Sequence, residues 1–321
     1  MMDRREFLAG ASAALLGAAD ASAQTPSTPV SLIVPFAPGG GNDILAREIG
    51  HLLADTLKTS IVIDNRSGAG GLVAAKTAST AKPDGATLLF VSSSFITTTA
   101  GRKVEPYDVV KDFTPLAKLA RSPLLVVASH QSGINSIEDV IKRSKQAPGS
   151  LNFVSSGVGS ILHLATEVFM HRAGIKMTHV PYTGSGPALM DLVAGRADLF
   201  ITAIPTVLGQ LQDKSLKLIA VTGESRSPLY PDAPTLIEQG LPGLTLETWW
   251  GIVGPPNMPA GLRDQFTLAI NEAAAMPAMK KRFADEGAVT FRGTSDDFRR
   301  SLEAEYASWR RVIVEGNLYT N

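Results

Sequence analysis

The sequence predicts an α/β protein of two lobes that share crossing strands. Short β-branched runs alternate with amphipathic helical stretches, which is the pattern of βαβ units and a parallel sheet. The alternation starts twice, near Val30 and again near Leu124. No Pro/Gly/Ser-rich linker separates the two stretches, so the strands that pass between the lobes serve as the hinge.

The elements follow in order. Residues 30–34 are a β-branched run that stops at Pro35. After Gly39-Gly40-Gly41 a helix is expected over 43–58, with Ile44, Leu45, Ile49, Leu52 and Leu53 on one side. A strand over 60–64, a turn at 65–71 and a helix over 72–80 come next. Lys82-Pro83-Asp84-Gly85 is a turn, and 87–91 a strand. The second unit opens with a buried-type strand over 124–128. Ser136-Ile137-Glu138-Asp139 starts a helix with good N-cap chemistry. Strands at 151–154 and 176–180 flank a helix over 161–173. A helix from Gly186-Pro187 reaches Gly195, and strands are expected at 199–202, 216–222 and 249–253. From Pro259 the chain is helical, with a last helix over about 295–315.

The first 23 residues read as an export signal. Arg4-Arg5-Glu6-Phe7-Leu8 precedes an Ala-rich apolar run that closes on Ala21-Ser22-Ala23. The paired arginines point to the twin-arginine type, with an ordinary Sec signal as the alternative. The run falls short of the roughly 20 residues of a spanning helix. The expected product starts near Gln24 and works in the periplasm.

Lys+Arg and Asp+Glu both total 30, so nothing draws the chain to nucleic acid or anionic lipid. Cysteine is absent, so stability outside the cytoplasm has to come from core burial. No later run is apolar enough to span a membrane. A soluble monomer without a cofactor is expected.

Two motifs carry chemistry. Pro35-Phe36-Ala37-Pro38-Gly39-Gly40-Gly41-Asn42-Asp43 joins a strand to a helix start, where glycines let several N–H groups approach an anion. Ser155-Ser156-Gly157-Val158-Gly159-Ser160 repeats that logic in the second unit. Each is also readable as a capped βα turn. Their pairing favours a ligand clamped between facing loops, as open α/β sheets prefer. The Rossmann fingerprint, a Walker sequence, metal spacing and a G-x-S-x-G elbow are all missing. Ser156 with His163 leaves an exported hydrolase as the alternative, and His163 is also readable as a packing or capping residue. Trp249-Trp250 read as core, or as a cleft wall. Tyr182, before Gly184-Ser185-Gly186-Pro187, is a cleft candidate.

An ordered set of segments resembles the Bug-type extracytoplasmic solute receptors of tripartite tricarboxylate transporters. It includes Pro35-Phe36 through Gly40, Asp64-Asn65-Arg66 with Gly68-Ala69-Gly70-Gly71, Lys82-Pro83-Asp84-Gly85, Tyr107-Asp108 and Asp112-Phe113-Thr114-Pro115. It continues with Gly159-Ser160, His163-Leu164-Ala165, His179-Val180-Pro181-Tyr182, Asp191-Leu192 and Pro234-Thr235. The resemblance implies a type II periplasmic-binding fold, with 24–124 plus 249–321 as one lobe and 125–248 as the other. It implies a non-enzymatic receptor that passes a small carboxylate to membrane permease subunits; a sensor subunit is compatible with the same chain. Carried over by position, the ligand residues are Phe36, Pro38, Gly39, Gly40 and Asp43, then Ser156, Gly157, Gly159 and Ser160, with Ser92, Ser93 and Ser94 adding hydroxyls. Many members carry Asp-Asn where this chain has Thr202-Ala203. That departure removes a partner for a ligand amine and points to a plain or aromatic carboxylate.

Overall fold

The computed structural model describes residues 29–320. The expected leader, residues 1–23, and its export type lie outside them. The first half runs β1 (Val30–Val34), α1 (Gly41–Leu57), β2 (Ile61–Asn65), α2 (Leu72–Ser79), β3 (Thr87–Ser92), α3 (Ser94–Ala100) and β4 (Thr114–Ser129). Then come α4 (Ile137–Gln146), β5 (Asn152–Ser155), α5 (Ile161–Ala173), β6 (Thr178–Pro181), α6 (Ser185–Val193), β7 (Leu199–Ala203), α7 (Ile204–Gln212) and β8 (Leu216–Val221). The chain ends with β9 (Glu247–Gly254), α8 (Ala260–Ala275), α9 (Pro277–Asp285), β10 (Val289–Thr290) and α10 (Ser295–Gly316).

β1 pairs in parallel with β2 and β3, as a βαβαβ sequence requires. Helix α1 forms because Leu45, Ile49, Leu53 and Leu57 fall on one stripe; all four are buried with Leu32 and Leu88 of the sheet. Lys58 ends it in the left-handed region, returning its N–H to Ala54 O. In the second half, β5 is parallel to β6 and β7. Helix α5 lies where the sequence places it, because Ser160 caps its start and Gly174 turns left-handed at its end.

The two halves exchange strands. Thr114–Pro123 of β4 pairs antiparallel with β9, and β9 pairs antiparallel with β3 on its other edge. From Leu124 onward β4 runs antiparallel between β7 and β8. Each lobe therefore holds four mutually parallel strands and receives one antiparallel strand from the other lobe: β9 in the order β2-β1-β3-β9-β4, where the short β10 adds a second antiparallel strand beside β4, and the end of β4 in β8-β4-β7-β5-β6. This is the two-lobe periplasmic-binding architecture.

Thr222, fully buried, fastens the crossing. Its hydroxyl accepts from Leu124 N at 2.8 Å and is bonded to Leu124 O and Leu246 O. Leu124 N also donates to Leu246 O at 3.1 Å.

Four elements depart from the sequence reading, the first being the short β10 within the stretch read as helical from Pro259. Residues 114–123 are strand although Pro115 and Pro123 interrupt them; register shifts after Pro115 and Lys118 absorb the irregularity. Helix α3 arises from Ser94-Phe95-Ile96-Thr97-Thr98-Thr99-Ala100, a run with β propensity, because its complete burial overrides that preference. Helix α7 follows β7 without a break and carries Pro205 in its first turn.

Candidate ligand-binding cleft

The first loop leaves β1 at Pro35 and enters α1 through Gly40, whose backbone is extended and which offers no side-chain cap. Asp43 supplies the order that the glycines lack. Its carboxylate accepts from Gly39 N (3.0 Å), Arg47 Nε (2.9 Å) and Asn65 Nδ2 (2.9 Å), and Asn65 Nδ2 also donates to Phe36 O (3.0 Å). Burial raises the Asp43 pKa, but the Arg47, Gly39 and Asn65 bonds outweigh it and hold the carboxyl below its ordinary value. Both oxygens are taken up inside the lobe, so Asp43 shapes the loop and does not face the cleft.

The second loop joins β5 to α5. Ser160 Oγ accepts from His163 N (3.3 Å), and Ser155 Oγ accepts from Gly157 N (3.1 Å). Gly159 N donates to His163 Nδ1 (3.3 Å). Beneath the loop His163 and His179 stack with centroids 4.0 Å apart, and Phe153 lies against His179 at 4.8 Å. His179 Nε2 sits 2.6 Å from Ser155 Oγ. Burial, then the neighbouring imidazole, push His179 down to about 3, so it is neutral at any ordinary pH.

The loops face each other across a small cavity of about 20 Å3, the lobes being closed upon each other. Phe36, Ser92, Ser94, Ser156 and Ala203, all named from the sequence, line it. So do Gly41, Asn42, Ile161, Leu162, Ser185, Thr206, Thr248 and Trp250. Trp250 Nε1 donates to Asn42 Oδ1 (2.9 Å), and Asn42 Nδ2 reaches Ser92 Oγ (3.4 Å). Strand alternation sends Trp249 to the opposite face of β9, into the first lobe's core against Phe298.

No lining residue carries a charge. Five helices begin at the cavity instead: α1 at Gly41, α3 at Ser94, α5 at Ile161, α6 at Ser185 and α7 just after Ala203. Helix starts carry partial positive charge and unpaired donors. The N–H groups of Asn42 and Leu162 have no hydrogen-bond partner among the described residues. Nor do the hydroxyls of Ser156 and Thr248, which line the cavity.

The lobes meet around this space. Ala37 N donates to Thr183 O (3.1 Å) and Gly41 N to Thr206 Oγ1 (3.2 Å). Ile161 N donates to Ser94 Oγ (3.1 Å) and Thr97 Oγ1 to Gly159 O (2.9 Å). A Cβ on Gly40 would collide with Ser185 Oγ, and one on Gly186 would come within 2.8 Å of Pro38 O. A third loop joins the contact: Gly70, at φ +70°, lies so close to the Val158 carbonyl that any Cβ would strike it. Gly157, at φ +125°, would bring a Cβ to 3.2 Å from Gly70 N.

The remaining sequence-named residues lie around the cavity and not on its wall. Pro38, Gly39, Gly40, Gly157 and Gly159 form the loops and their inter-lobe contacts. Ser160 caps α5, and Ser93 Oγ accepts from Trp249 N (3.1 Å). Tyr182 donates its hydroxyl to Asp191 and is pushed up to about 12, by burial first and then by that carboxylate. The Thr202 hydroxyl is buried without a hydrogen-bond partner. Ser185, Thr206 and Thr248 escaped the sequence reading because they reach the cavity only when the lobes meet; Pro205 at a helix start was the one local signal for Thr206.

Ser156 makes no hydrogen bond to a histidine, and the lone pair of His163 Nδ1 is used by Gly159. Among the described residues no group of three or more His, Asp or Glu is placed to hold a metal. None of their helices is long and apolar enough to cross a membrane.

Residues 45–318 match the family described as tripartite tricarboxylate transporter family receptor. The chain belongs to this family. It is a solute-binding receptor and not an enzyme. The periplasmic binding protein BugD has the same fold, with a TM-score of 0.88, 25% identity, and 92% of this chain and 99% of BugD covered. A Rhodopseudomonas palustris protein solved with adipate is 32% identical, with a TM-score of 0.84 over 91% of this chain and 98% of that one. MatC from the same organism, with bound malate, is 30% identical, with a TM-score of 0.86 over 90% and 99%.

Proposed function

We propose that this receptor captures a small, non-aminated organic carboxylate between the Phe36–Asp43 and Ser156–Ser160 loops. It delivers that acid, as a periplasmic monomer, to the permease subunits of a tripartite tricarboxylate-type transporter. The carrying observation is a cavity with no charged side chain onto which five helices open. Such a wall suits an anion and gives an ammonium group no carboxylate partner. Each charge-assisted hydrogen bond contributes roughly 1.5–3 kcal/mol. A few of them, less ordering costs, reach the about −8 kcal/mol of a micromolar receptor. The adipate- and malate-bound relatives support this ligand class. The strand exchange at Pro123/Leu124 and Leu246/Glu247 supports lobe limits near 124 and 248.

Calorimetry against adipate, malate, citrate, benzoate and glutamate tests the reading. Heat is expected from at least one non-aminated acid, and none from glutamate. Preference for glutamate, or silence across the panel, would sink it.

A further inference from the structure

The stacked imidazoles under the second loop lie outside the cavity wall, yet each holds one of that loop's glycines. His163 does so directly, its Nδ1 accepting from Gly159 N at 3.3 Å. His179 does so through Ser155, whose Oγ is 2.6 Å from Nε2 and accepts from Gly157 N at 3.1 Å. The segment so held continues into Ile161 and Leu162, which line the cavity, and its Gly159 carbonyl receives the Thr97 hydroxyl of the other lobe. An imidazole nitrogen that accepts a hydrogen bond carries no proton, so the Gly159 bond selects the Nε2–H tautomer of His163. Its Nε2 faces Glu167 Oε1 at 3.4 Å.

We propose that His163 is a positioning residue for ligand capture: its Nδ1 holds the second loop in its ligand-ready shape. The residue it holds carries the inter-lobe contact as well, because helix α3 presents the Thr97 and Thr98 hydroxyls to Gly159 O. Phe153 stacks behind the imidazole pair and Ser155 ties His179 to Gly157, so the acceptor at Nδ1 is fixed in place. Loss of that acceptor frees a loop that both lobes use.

This inference rests on the carboxylate reading for its affinity test but has a ligand-free test of its own. Adipate or malate, whichever binds, is titrated into wild type, His163→Leu and His163→Asn. His163→Leu is expected to bind about tenfold more weakly than wild type. His163→Asn, whose Oδ1 can accept from Gly159, should recover most of the loss. A Leu variant that binds as tightly as wild type, or an Asn variant no better than the Leu variant, overturns the proposal. In ligand-free protein the Gly159 amide should be protected from hydrogen exchange in wild type and the Asn variant at about pH 7.5 and roughly tenfold less in the Leu variant. Equal protection in all three also overturns it. Silence toward every acid would defeat the carboxylate reading alone and leave the exchange result to decide this one.

Discussion

The amide of Gly41, the first residue of α1, donates to Thr206 Oγ1 across the cleft at 3.2 Å. The arrangement is reciprocal: the amide of Ile161, first in α5, donates to Ser94 Oγ of the opposite lobe at 3.1 Å. Each lobe thus completes the start of the other's principal loop helix, and closure satisfies donors that an open cleft exposes to water. Thr206→Val should weaken carboxylate binding about five- to tenfold, one neutral hydrogen bond, with little change in melting temperature. Ser94→Ala should act in the same direction, and calorimetry on the pair as a double-mutant cycle measures their coupling.

Gly70 bears on closure without touching the cavity's polar wall groups. Gly70→Ala places a methyl against the Val158 carbonyl and strains a backbone at φ +70°. The expected result is a folded protein that closes poorly, with affinity reduced about tenfold or more. Small-angle scattering with saturating ligand should give a larger radius of gyration than liganded wild type; identical radii and affinities would refute the latch role.

Ala203 stands at the cavity wall at the end of β7. Ala203→Asp would put a carboxylate beside the bound one. Like charges at such range in a partly buried site cost on the order of a few kcal/mol, so binding of adipate or malate should fall about a hundredfold. Competition assays on the variant would show whether an aminated acid gains what the plain acids lose.

Thr222 joins Leu124 to Leu246 through one buried hydroxyl. Thr222→Val keeps the shape and removes the hydroxyl's bonds, while Leu124 N keeps Leu246 O and Leu124 O keeps Thr222 N. Urea unfolding should report a loss of roughly 0.5–1.5 kcal/mol. An unchanged midpoint would mean the crossing strands hold without it.

Glu286 is fully buried, and burial first, opposed by Arg282, pushes its carboxyl up to about 8. Arg282 Nε lies 2.6 Å from Glu286 Oε1 but out of line for a hydrogen bond. Because the folded value exceeds the unfolded one, the folded state holds the proton more tightly. This contribution to stability is complete below about pH 4.5 and lost as pH rises through about 8. Wild type should therefore melt lower at about pH 9 than at pH 6, and Glu286→Gln should abolish most of that slope.

Local chemistry made much of the fold legible. Helix α5 stood out because a capping serine and a terminal glycine bracket an apolar stripe. The first half of β4 did not, since Pro115 and Pro123 imitate loop signals and only pairing with β9 makes the segment a strand. The Thr-rich run of α3 reads locally as strand and is helical because it is buried on all sides. The same limit governs the cavity. Ser156 announces itself in a glycine-rich loop after a strand, and Ser92 and Ser94 entered through the family resemblance, whereas Thr206 and Thr248 acquire meaning only when distant segments converge.

The exchange of strands dictates an order of assembly. β9 must slot between β3 and β4, so the first lobe's sheet stays in two pieces until residues 247–254 exist as chain. A polypeptide emerging from the ribosome cannot complete its N-terminal lobe and move on; nearly four-fifths of the chain is synthesised first. Vectorial, lobe-by-lobe folding is closed to this topology, and the strand edges of β3 and β4 stay exposed to aggregation or to a chaperone during that wait.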